Sequence, residues 1–288
     1  MSIHRKKKAV RGAEGLSGGN TRNAVVTVNA PAKVNFFLKV LGLRPDGYHE
    51  IESLVCPVSL WDILEFELRD DGQIKLDMQV GDVPGCRNLE KTGHRDNLAV
   101  KAASLLQERS GCAVGADIRL KKRIPVGGGL GGGSSDAAAV LIGLNALWAL
   151  DVEKRQLMEM GAELGCDVPA LVHGGMTLVE GAGERVRYPD VDLSGPAGKM
   201  HLVLANPGFS VSTGDIYSRY NGGLTTGHGE VSILVLTLVQ GEASRAAGLL
   251  RNDVQEVVFR KYPLIEILAE NLRAAGAIDV LLSGSGAT

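Results

Sequence analysis

A glycine-rich segment in the middle of the chain has the composition of an anion-binding loop. Residues 125–135 read Pro-Val-Gly-Gly-Gly-Leu-Gly-Gly-Gly-Ser-Ser, so six of the eleven are glycine. Glycine permits positive φ angles, and it lets backbone N–H groups approach a ligand because no Cβ atom intervenes. A helical pattern over residues 136–150 follows directly, and the unpaired amides and positive dipole end of a helix attract phosphate. This glycine loop therefore predicts a site for nucleotide phosphates.

Three better-known kinds of glycine-rich segment fit the sequence less well. A Walker A loop ends in Gly-Lys-Ser/Thr, whereas this segment ends in Ser134 and Ser135 without a lysine. A dinucleotide fingerprint matches by its letters, but its acidic residue would be Asp151, which lies between two helical patterns instead of ending a strand. A flexible linker normally has polar flanks, and the flanks here are apolar and periodic. The pattern favours a phosphate loop that relies on backbone N–H groups.

Lys33 and Asp167 are candidates for chemistry on a substrate hydroxyl. Lys33 begins a predicted strand among apolar neighbours, where a lysine is costly to bury unless it is paired. The alternative is an edge lysine whose ammonium group reaches water. Asp167 follows a helix end, so its alternative role is to cap a short helix that begins at Val168 or Pro169. Together the two would form a Lys–Asp pair.

Two further segments could bind parts of a nucleotide. Tyr48 and His49 follow an Arg-Pro-Asp-Gly turn, and an exposed aromatic ring beside a histidine can stack on a base and hydrogen-bond its edge. Residues 283–286 read Ser-Gly-Ser-Gly. They are either a plain loop or a second group of backbone donors for an anion.

The composition is that of an ordinary globular chain. Its 288 residues carry a formal net charge of −2 at pH 7, so no overall basic surface suggests nucleic acid. The longest apolar stretch, residues 137–150, is too short to span a membrane. Four widely spaced cysteines without a Cys-x-x-Cys pair indicate reduced thiols, and no signal-peptide pattern is seen. We therefore expect a cytoplasmic protein that acts on a small molecule, with neither nucleic acid nor membrane as a partner.

The first 24 residues are expected to form a disordered basic tail. Arginine and lysine are concentrated in residues 5–11, and the Gly- and Ser-rich sequence that follows cannot bury apolar surface. A short organelle transit segment is the alternative, but the sequence lacks a clear amphipathic helix.

Hydrophobic periodicity predicts an α+β chain. Residues 65–69 and 74–78 are expected to pair as a hairpin across an Asp-Asp-Gly turn. Polar residues with prolines or glycines at 190–199 predict a boundary between an N-terminal domain (25–190) and a C-terminal domain (200–288). The other predicted elements are strands at 25–28, 34–40, near 116, at 176–180, 184–188 and 200–205, and helices at 97–109, 136–150, 153–164, 213–220, 252–261 and 263–275.

Five motifs, in their order and spacing, resemble those of the GHMP kinase superfamily. They are Pro-Ala-Lys-Val-Asn (31–35), Arg-Pro-Asp-Gly-Tyr-His-Glu (44–50), the glycine loop, Gly-Cys-Asp-Val-Pro (165–169) and Glu-Gly-Ala-Gly-Glu (180–184). The similarity runs from about residue 25 to the C-terminus. The Asp-Gly-Tyr-His segment and the doubled triple glycine resemble the GHMP kinases that phosphorylate a cytidine diphosphate derivative of methylerythritol, more than mevalonate, homoserine or galactose kinases.

The resemblance implies a two-domain GHMP kinase fold with the active site in the cleft between the domains. It implies ATP- and Mg²⁺-dependent phosphorylation of the 2-hydroxyl of that cytidine diphosphate substrate, in non-mevalonate isoprenoid biosynthesis. Lys33 and Asp167 would be the catalytic pair, with Asp167 either the general base or the group that holds Lys33. The Mg²⁺ ligands are left open.

The resemblance also assigns binding residues. Tyr48 and Tyr217 would stack on opposite faces of the cytosine, His49 would read its edge, and Asn35 would lie near the reacting end. The ATP phosphates would be bound by Pro125, Val126, Gly127, Gly128, Gly129, Leu130, Gly131, Gly132, Gly133, Ser134 and Ser135.

The sequence departs from the family pattern at its C-terminus, and two alternative functions stay open. In the family a further strand and helix follow the Ser-Gly-Ser-Gly motif, whereas here only Ala287 and Thr288 follow, so the C-terminal domain is expected to be truncated at its end. The alternative functions are a GHMP kinase for another alcohol and a catalytically silent nucleotide-binding protein.

Overall fold

Two units, interleaved along the chain, make up the protein. The computed structural model describes residues 1–7, 24–83, 96–189, 200–222 and 230–288. The first unit comprises Met1–Ala32, Ser59–Ile124 and Gly132–Gly174, and the second comprises Lys33–Val58, Pro125–Gly131 and Gly175–Thr288. Both contain helices and strands, so the α+β class is confirmed. The predicted boundary at residues 190–199 lies outside the described residues, and the division into N- and C-terminal domains stays a prediction.

Two long strands contribute residues to both units. They are β2 (Ala24–Leu43) and β3 (His49–Arg69). The separate strands predicted at 25–28 and 34–40 are thus parts of one strand. The other elements of the first unit are β1 (Ser2–Lys7), β4 (Ile74–Val80), α1 (Leu98–Ser110), β5 (Gly115–Lys122), α2 (Gly132–Trp148), α3 (Lys154–Leu164) and α4 (Val168–His173).

The predicted hairpin between residues 65–69 and 74–78 is wrong. Strand β5 lies between them, antiparallel to β3 and parallel to β4. A parallel pair needs a crossover connection, and α1 supplies it between β4 and β5. The alternating side chains of Ala116, Ile118 and Leu120 on β5 are all buried. The Asp-Asp-Gly sequence therefore makes a turn without making a hairpin.

Helix α2 is the centre of the first core and continues directly from the glycine loop. Its apolar residues pack with Phe66 and neighbouring strands, and burying each large side chain contributes about 1.5–3 kcal/mol. A Cβ atom on Gly143 would lie 2.3 Å from the Phe66 ring, so glycine is required where the two meet. The helix begins at Gly132, four residues before the predicted start, directly after Gly131 with its φ of 65°.

The basic N-terminal segment is partly ordered. Residues Ser2–Lys7 form β1, which pairs antiparallel with the first residues of β2, so the expectation of disorder is wrong for them. Residues 8–23 lie outside the described part of the chain.

The second unit has its own core. Its further elements are β6 (Thr177–Gly181), β7 (Arg185–Arg187), α5 (Thr213–Ser218), α6 (Glu230–Val239), α7 (Ala243–Ala247), β8 (Arg251–Asn252), α8 (Gln255–Lys261) and α9 (Pro263–Ala274). Strands β6 and β7 correspond to the strands predicted at 176–180 and 184–188, and they pair antiparallel. The core combines side chains of β2 with α8 and α9, among them Leu38, Val258 and Ile265.

The strand predicted at residues 200–205 is not formed. This segment has no regular secondary structure, and Val203 is 81% exposed. A strand requires a neighbour for its backbone hydrogen bonds, and a β-rich sequence does not provide one. Across the described residues, no helix is long and apolar enough to cross a membrane.

Candidate active site

The glycine loop has the backbone of an anion cradle. Gly127, Gly129 and Gly131 have φ angles of 66°, 74° and 65°, in the left-handed region that favours glycine. A Cβ atom on Gly129 would lie 2.1 Å from the carbonyl oxygen of Ser283. A backbone in which every second residue is left-handed turns successive N–H groups to one side, where they can bind an anion.

The carbonyl groups of the loop are used within the protein. Three consecutive carbonyl oxygens accept hydrogen bonds at 2.9 to 3.1 Å: Gly128 from the Thr288 amide, Gly129 from the Ser283 hydroxyl and Leu130 from the Lys33 amide. Among the residues that the structure describes, the amides of Gly129, Leu130 and Gly131 donate to no other protein group. Backbone donors need a partner, from water or a ligand. The loop is therefore held by its acceptors and keeps its donors for an anion.

Further backbone donors stand at the start of α2. The first four amides of a helix have no acceptor within it, and in α2 these belong to residues 132–135. Ser135 is fully buried, and its hydroxyl donates to the carbonyl of Pro31 at 2.7 Å. Its hydroxyl thus anchors the helix, and a contact with phosphate would fall to its backbone amide.

Lys33 is buried beside the glycine loop. Its side chain is 5% exposed, and a Cβ atom on Gly131 would lie 2.8 Å from Cγ of Lys33. The ammonium group donates to Oδ1 of Asn35 at 2.7 Å. The alternative of an edge lysine reaching water is therefore wrong.

The hydrogen bonds continue from Asn35 into the sheet. Its Nδ2 donates to Oγ of Ser53 at 2.8 Å, and that hydroxyl donates to the carbonyl of Phe37 at 2.7 Å. Asn35 and Ser53 are 6% and 1% exposed, so this chain of contacts is shielded from water. We refer to Lys33, Asn35 and Ser53 as the lysine relay. Sequence reasoning identified its first two members and missed Ser53.

The Ser-Gly-Ser-Gly segment packs against the same groups. The hydroxyl of Ser283 donates to the carbonyl of Gly129 at 3.0 Å. A Cβ atom on Gly284 would lie 3.3 Å from Nζ of Lys33. Asn252, which the sequence did not single out, donates to the carbonyls of Leu282 and Gly284, each at 2.7 Å. Residues 283–286 are thus a fixed neighbour of Lys33.

A second buried lysine, Lys122, forms an ion cluster with Asp62 and Asp136. Its Nζ contacts the carboxylate of Asp62 and lies 2.7 Å from that of Asp136, and no side chain of the three is more than 4% exposed. The other oxygen of Asp62 accepts from the amides of Arg123 and Ile124 at 2.5 and 2.9 Å. This buried ion cluster joins β3, the end of β5 and the N-terminal part of α2.

The charges in the cluster shift each other's titration. Burial raises the pKa of Asp136 to about 8; Lys122 opposes this shift and the charge of Asp62 adds to it. Burial by itself lowers the pKa of Lys122, but Asp136 and Asp62 together raise it above the ordinary value. Oδ1 of Asp136 is buried without a hydrogen-bond partner in the described part of the protein. A proton on this carboxyl would remove the cost of burying a second negative charge.

Asp167 occupies the N-cap position of α4 without acting as a cap. Its side chain makes no hydrogen bond to the amides of that helix, and Pro169 stands in the first turn. The capping role considered from the sequence is therefore not used. Asp167 belongs to the first unit and Lys33 to the second.

The aromatic candidates come together around His49. Its ring centroid is 5.4 Å from that of Tyr217 and 6.0 Å from that of Tyr220. Tyr48 is 64% exposed, as a surface for stacking should be. Tyr220 was missed by sequence reasoning, although its spacing from Tyr217 on a helical pattern was a usable signal.

Ionic contacts hold the turn that carries Tyr48 and His49. Arg44 binds Asp46 at 2.9 Å and Glu184 at 2.7 Å, and the hydrogen bond to Glu184 is the main cause of the raised pKa of Arg44. The Tyr48 amide donates to Asp46 at 3.1 Å. Two of the sequence motifs, residues 44–50 and 180–184, thus meet at this turn.

The described residues contain no cluster of three His, Cys, Asp or Glu side chains that could hold a metal ion. Mg²⁺ commonly binds through one or two carboxylates and the substrate's own phosphates, so it does not require such a cage. The amides that the glycine loop keeps for an anion fit the phosphates of a nucleotide.

Comparison with known proteins identifies similar sequences and folds. Residues 97–175 match the family model "GHMP kinases N terminal domain". A 4-diphosphocytidyl-2-C-methyl-D-erythritol kinase from Pelotomaculum thermopropionicum is 39% identical over 92% of this chain and 88% of its own. An enzyme of the same name from Geobacter sp. is 41% identical over 90% of this chain and 86% of its own.

Solved structures show the same similarity. A crystal structure of 4-(cytidine 5'-diphospho)-2C-methyl-D-erythritol kinase, 35% identical, superimposes with a TM-score of 0.71 over 91% of this chain and 87% of its own. Homoserine kinase from Cytophaga hutchinsonii has a TM-score of 0.65 at 20% identity, over 95% of this chain and 85% of its own. The second match shows a shared fold alone.

Proposed function

This chain belongs to the 4-diphosphocytidyl-2-C-methyl-D-erythritol kinase family of the GHMP kinases, and we propose how its residues carry out that reaction. The protein is a kinase that transfers a phosphoryl group from ATP to the 2-hydroxyl of 4-diphosphocytidyl-2-C-methyl-D-erythritol. The products are the 2-phosphate and ADP, in the non-mevalonate synthesis of isoprenoid precursors. The observation that carries this conclusion is 39% identity over 92% of the chain to a kinase of that name.

The glycine loop binds the phosphates of ATP. The amides of Gly129, Leu130 and Gly131 supply donors for these phosphates, and the unpaired amides at the start of α2 are further donors. Phosphoryl transfer depends mainly on positioning and on neutralising charge in the transition state. A bound Mg²⁺ would add positive charge at the transferred phosphoryl group.

Lys33 and Asp167 act at the hydroxyl that is phosphorylated. The ammonium of Lys33 stabilises negative charge that develops on the attacking oxygen, and Asn35 holds it in place at 2.7 Å. Asp167 accepts the proton of the hydroxyl or orients Lys33. Asp167 lies at the N-cap position of α4, directly before the helix begins.

The cytosine is bound by the aromatic residues. Tyr48 and Tyr217 stack on its two faces, and His49 hydrogen-bonds its edge. The ring contacts of His49 with Tyr217 and Tyr220 support this assignment, because they place a hydrogen-bonding ring beside a stacking one. We also propose a cytoplasmic location, on the grounds of the cysteine pattern.

An ADP-release assay tests the function. The purified protein is supplied with ATP, Mg²⁺ and, in parallel, the cytidine diphosphate substrate, mevalonate or homoserine. We expect turnover with the first alone, because the base-binding groups have nothing to bind in the other two. Equal turnover of mevalonate or homoserine would favour another GHMP kinase. ATP binding without turnover of any of the three would favour the silent nucleotide-binding protein.

A further inference from the structure

The lysine relay has a fixed direction that follows from counting hydrogens. A serine hydroxyl has one hydrogen to donate, and that of Ser53 goes to the carbonyl of Phe37 at 2.7 Å. The oxygen of Ser53 can therefore only accept from Asn35, whose NH₂ group approaches it at 2.8 Å.

The orientation of the Asn35 side-chain amide determines which of its atoms contacts the Lys33 ammonium. With its NH₂ group turned to Ser53, the amide presents Oδ1 to the Lys33 ammonium at 2.7 Å. An ammonium group has only donors, so the reverse orientation would place two donors face to face. We propose that Ser53 is a positioning residue, which fixes the amide of Asn35 so that its oxygen holds the ammonium of Lys33 for phosphoryl transfer.

The buried surroundings of Ser53 and Asn35 restrict what else could orient the Asn35 amide. Ser53 is 1% exposed and lies on β3 opposite Val179 of β6, so water cannot readily replace its hydroxyl. The ammonium of Lys33 also lies against Gly284, where a Cβ atom would be 3.3 Å from Nζ and equally close to Oδ1 of Asn35. In this confined space a rotated amide would displace the ammonium. The proposal rests on the proposed function, since it assigns Lys33 a role in catalysis.

Steady-state kinetics of Ser53→Ala tests the relay. We expect kcat to fall about tenfold, the equivalent of one hydrogen bond, with the KM for ATP unchanged. Ser53→Thr retains the hydroxyl and should restore most of kcat. Thr177→Val is the matched control, because Thr177 is also buried and its hydroxyl donates to the carbonyl of Val55, away from Asn35. That variant should keep the wild-type kcat.

A double-mutant cycle separates positioning from general damage. If Ser53 acts through Asn35, Ser53→Ala should have no further effect on kcat in the Asn35→Ala background. The proposal would be overturned if Ser53→Ala lowered kcat equally in the wild-type and Asn35→Ala backgrounds. It would also be overturned if Ser53→Ala kept the wild-type kcat, or if Thr177→Val lost as much kcat as Ser53→Ala. Should Ser53→Ala fail to fold, the near-isosteric Ser53→Cys takes its place in the same cycle.

A second measurement does not depend on turnover. In ¹⁵N-labelled protein, the side-chain amide signals of Asn35, identified by their loss in Asn35→Ala, should exchange slowly with D₂O. Exchange should accelerate in Ser53→Ala and not in Thr177→Val. If the wild type fails to phosphorylate the cytidine diphosphate substrate, the proposed function fails and this exchange experiment still decides the relay. Unchanged exchange in Ser53→Ala would overturn it.

Discussion

Two of the buried lysines in the described part of the protein, Lys122 and Lys33, have different surroundings, and the difference distinguishes a role in stability from a role in chemistry. Lys122 is 4% exposed and donates to the carboxylates of Asp62 and Asp136. Lys33 is 5% exposed and donates to the neutral amide of Asn35. A carboxylate such as that of Asp62 cancels the charge of the Lys122 ammonium, whereas the amide of Asn35 orients the ammonium of Lys33 without adding a charge of its own. Lys122 therefore joins elements of the fold, and Asn35 orients Lys33 beside the glycine loop.

In the comparison of the two lysines, the largest expected effect on catalysis is at Lys33. Replacement of Lys33 by Met should lower kcat by about 10²–10³, the typical cost of removing one group that stabilises a developing oxyanion. The unfolding midpoint should stay closer to the wild-type value than that of Lys122→Met. The measurements are kcat in the ADP-release assay and urea unfolding. A wild-type kcat would show that the two lysines do not differ as described.

The converse is expected at Lys122. Replacement by Met leaves the Asp62 carboxylate buried without its counter-charge, and breaking a buried ion pair in this way costs about 3–5 kcal/mol of unfolding free energy. Urea unfolding measures this loss, and kcat per folded molecule serves as the readout for chemistry. The contrast between the lysines would fail if Lys122→Met were as stable as the wild type and yet inactive.

The pH dependence of stability tests the structural role of the buried ion cluster. The folded-state pKa of Asp136 is raised to about 8 from an ordinary value of 3.8. The folded protein thus keeps a proton that the unfolded chain loses above pH 3.8. This contribution to stability is complete below that pH and is lost as the pH rises through about 8.

Asp136→Asn has no proton to lose at this position, so its stability should decline less between about pH 4 and pH 8 than that of the wild type. Urea unfolding at several pH values across this window is the measurement. Exposed Asp70 provides the control, because Asp70→Asn should keep the wild-type slope. An identical slope in Asp136→Asn would mean that another group carries the proton.

The smallest expected effect concerns the proposed cytosine site. Replacement of Tyr217 by Ala removes a stacking surface worth about 1–3 kcal/mol, so the KM for the cytidine diphosphate substrate should rise about 5- to 100-fold. Base stacking acts mainly on substrate binding, so kcat should change little. An unchanged KM for that substrate would remove Tyr217 from the site.

The sequence predicted the parts of the site that lie within continuous motifs. The glycine loop precedes α2 and Asp167 precedes α4, whereas Lys33 lies within β2 but belongs to the continuous motif at residues 31–35. The helix following Asn97 and the helix end at Gly165 were likewise predicted, and in the structure these two residues cap their helices.

Contacts between distant residues could not be predicted in the same way. Asp62, Lys122 and Asp136 meet only because β5 is placed between β3 and β4, and the sequence suggested a β3–β4 hairpin instead. Ser53 reaches Asn35 through the pairing of long strands, and no local pattern distinguishes it from other serines. The segment 200–205 has the composition of a strand, but composition does not supply a pairing partner.

The most direct test of the proposed chemistry is the turnover of Asp167→Ala, measured together with its ATP affinity. ADP release with the cytidine diphosphate substrate should be abolished, while the Kd for ATP should stay near the wild-type value because the glycine loop supplies the phosphate contacts. Wild-type turnover in Asp167→Ala would contradict the role proposed for this carboxylate.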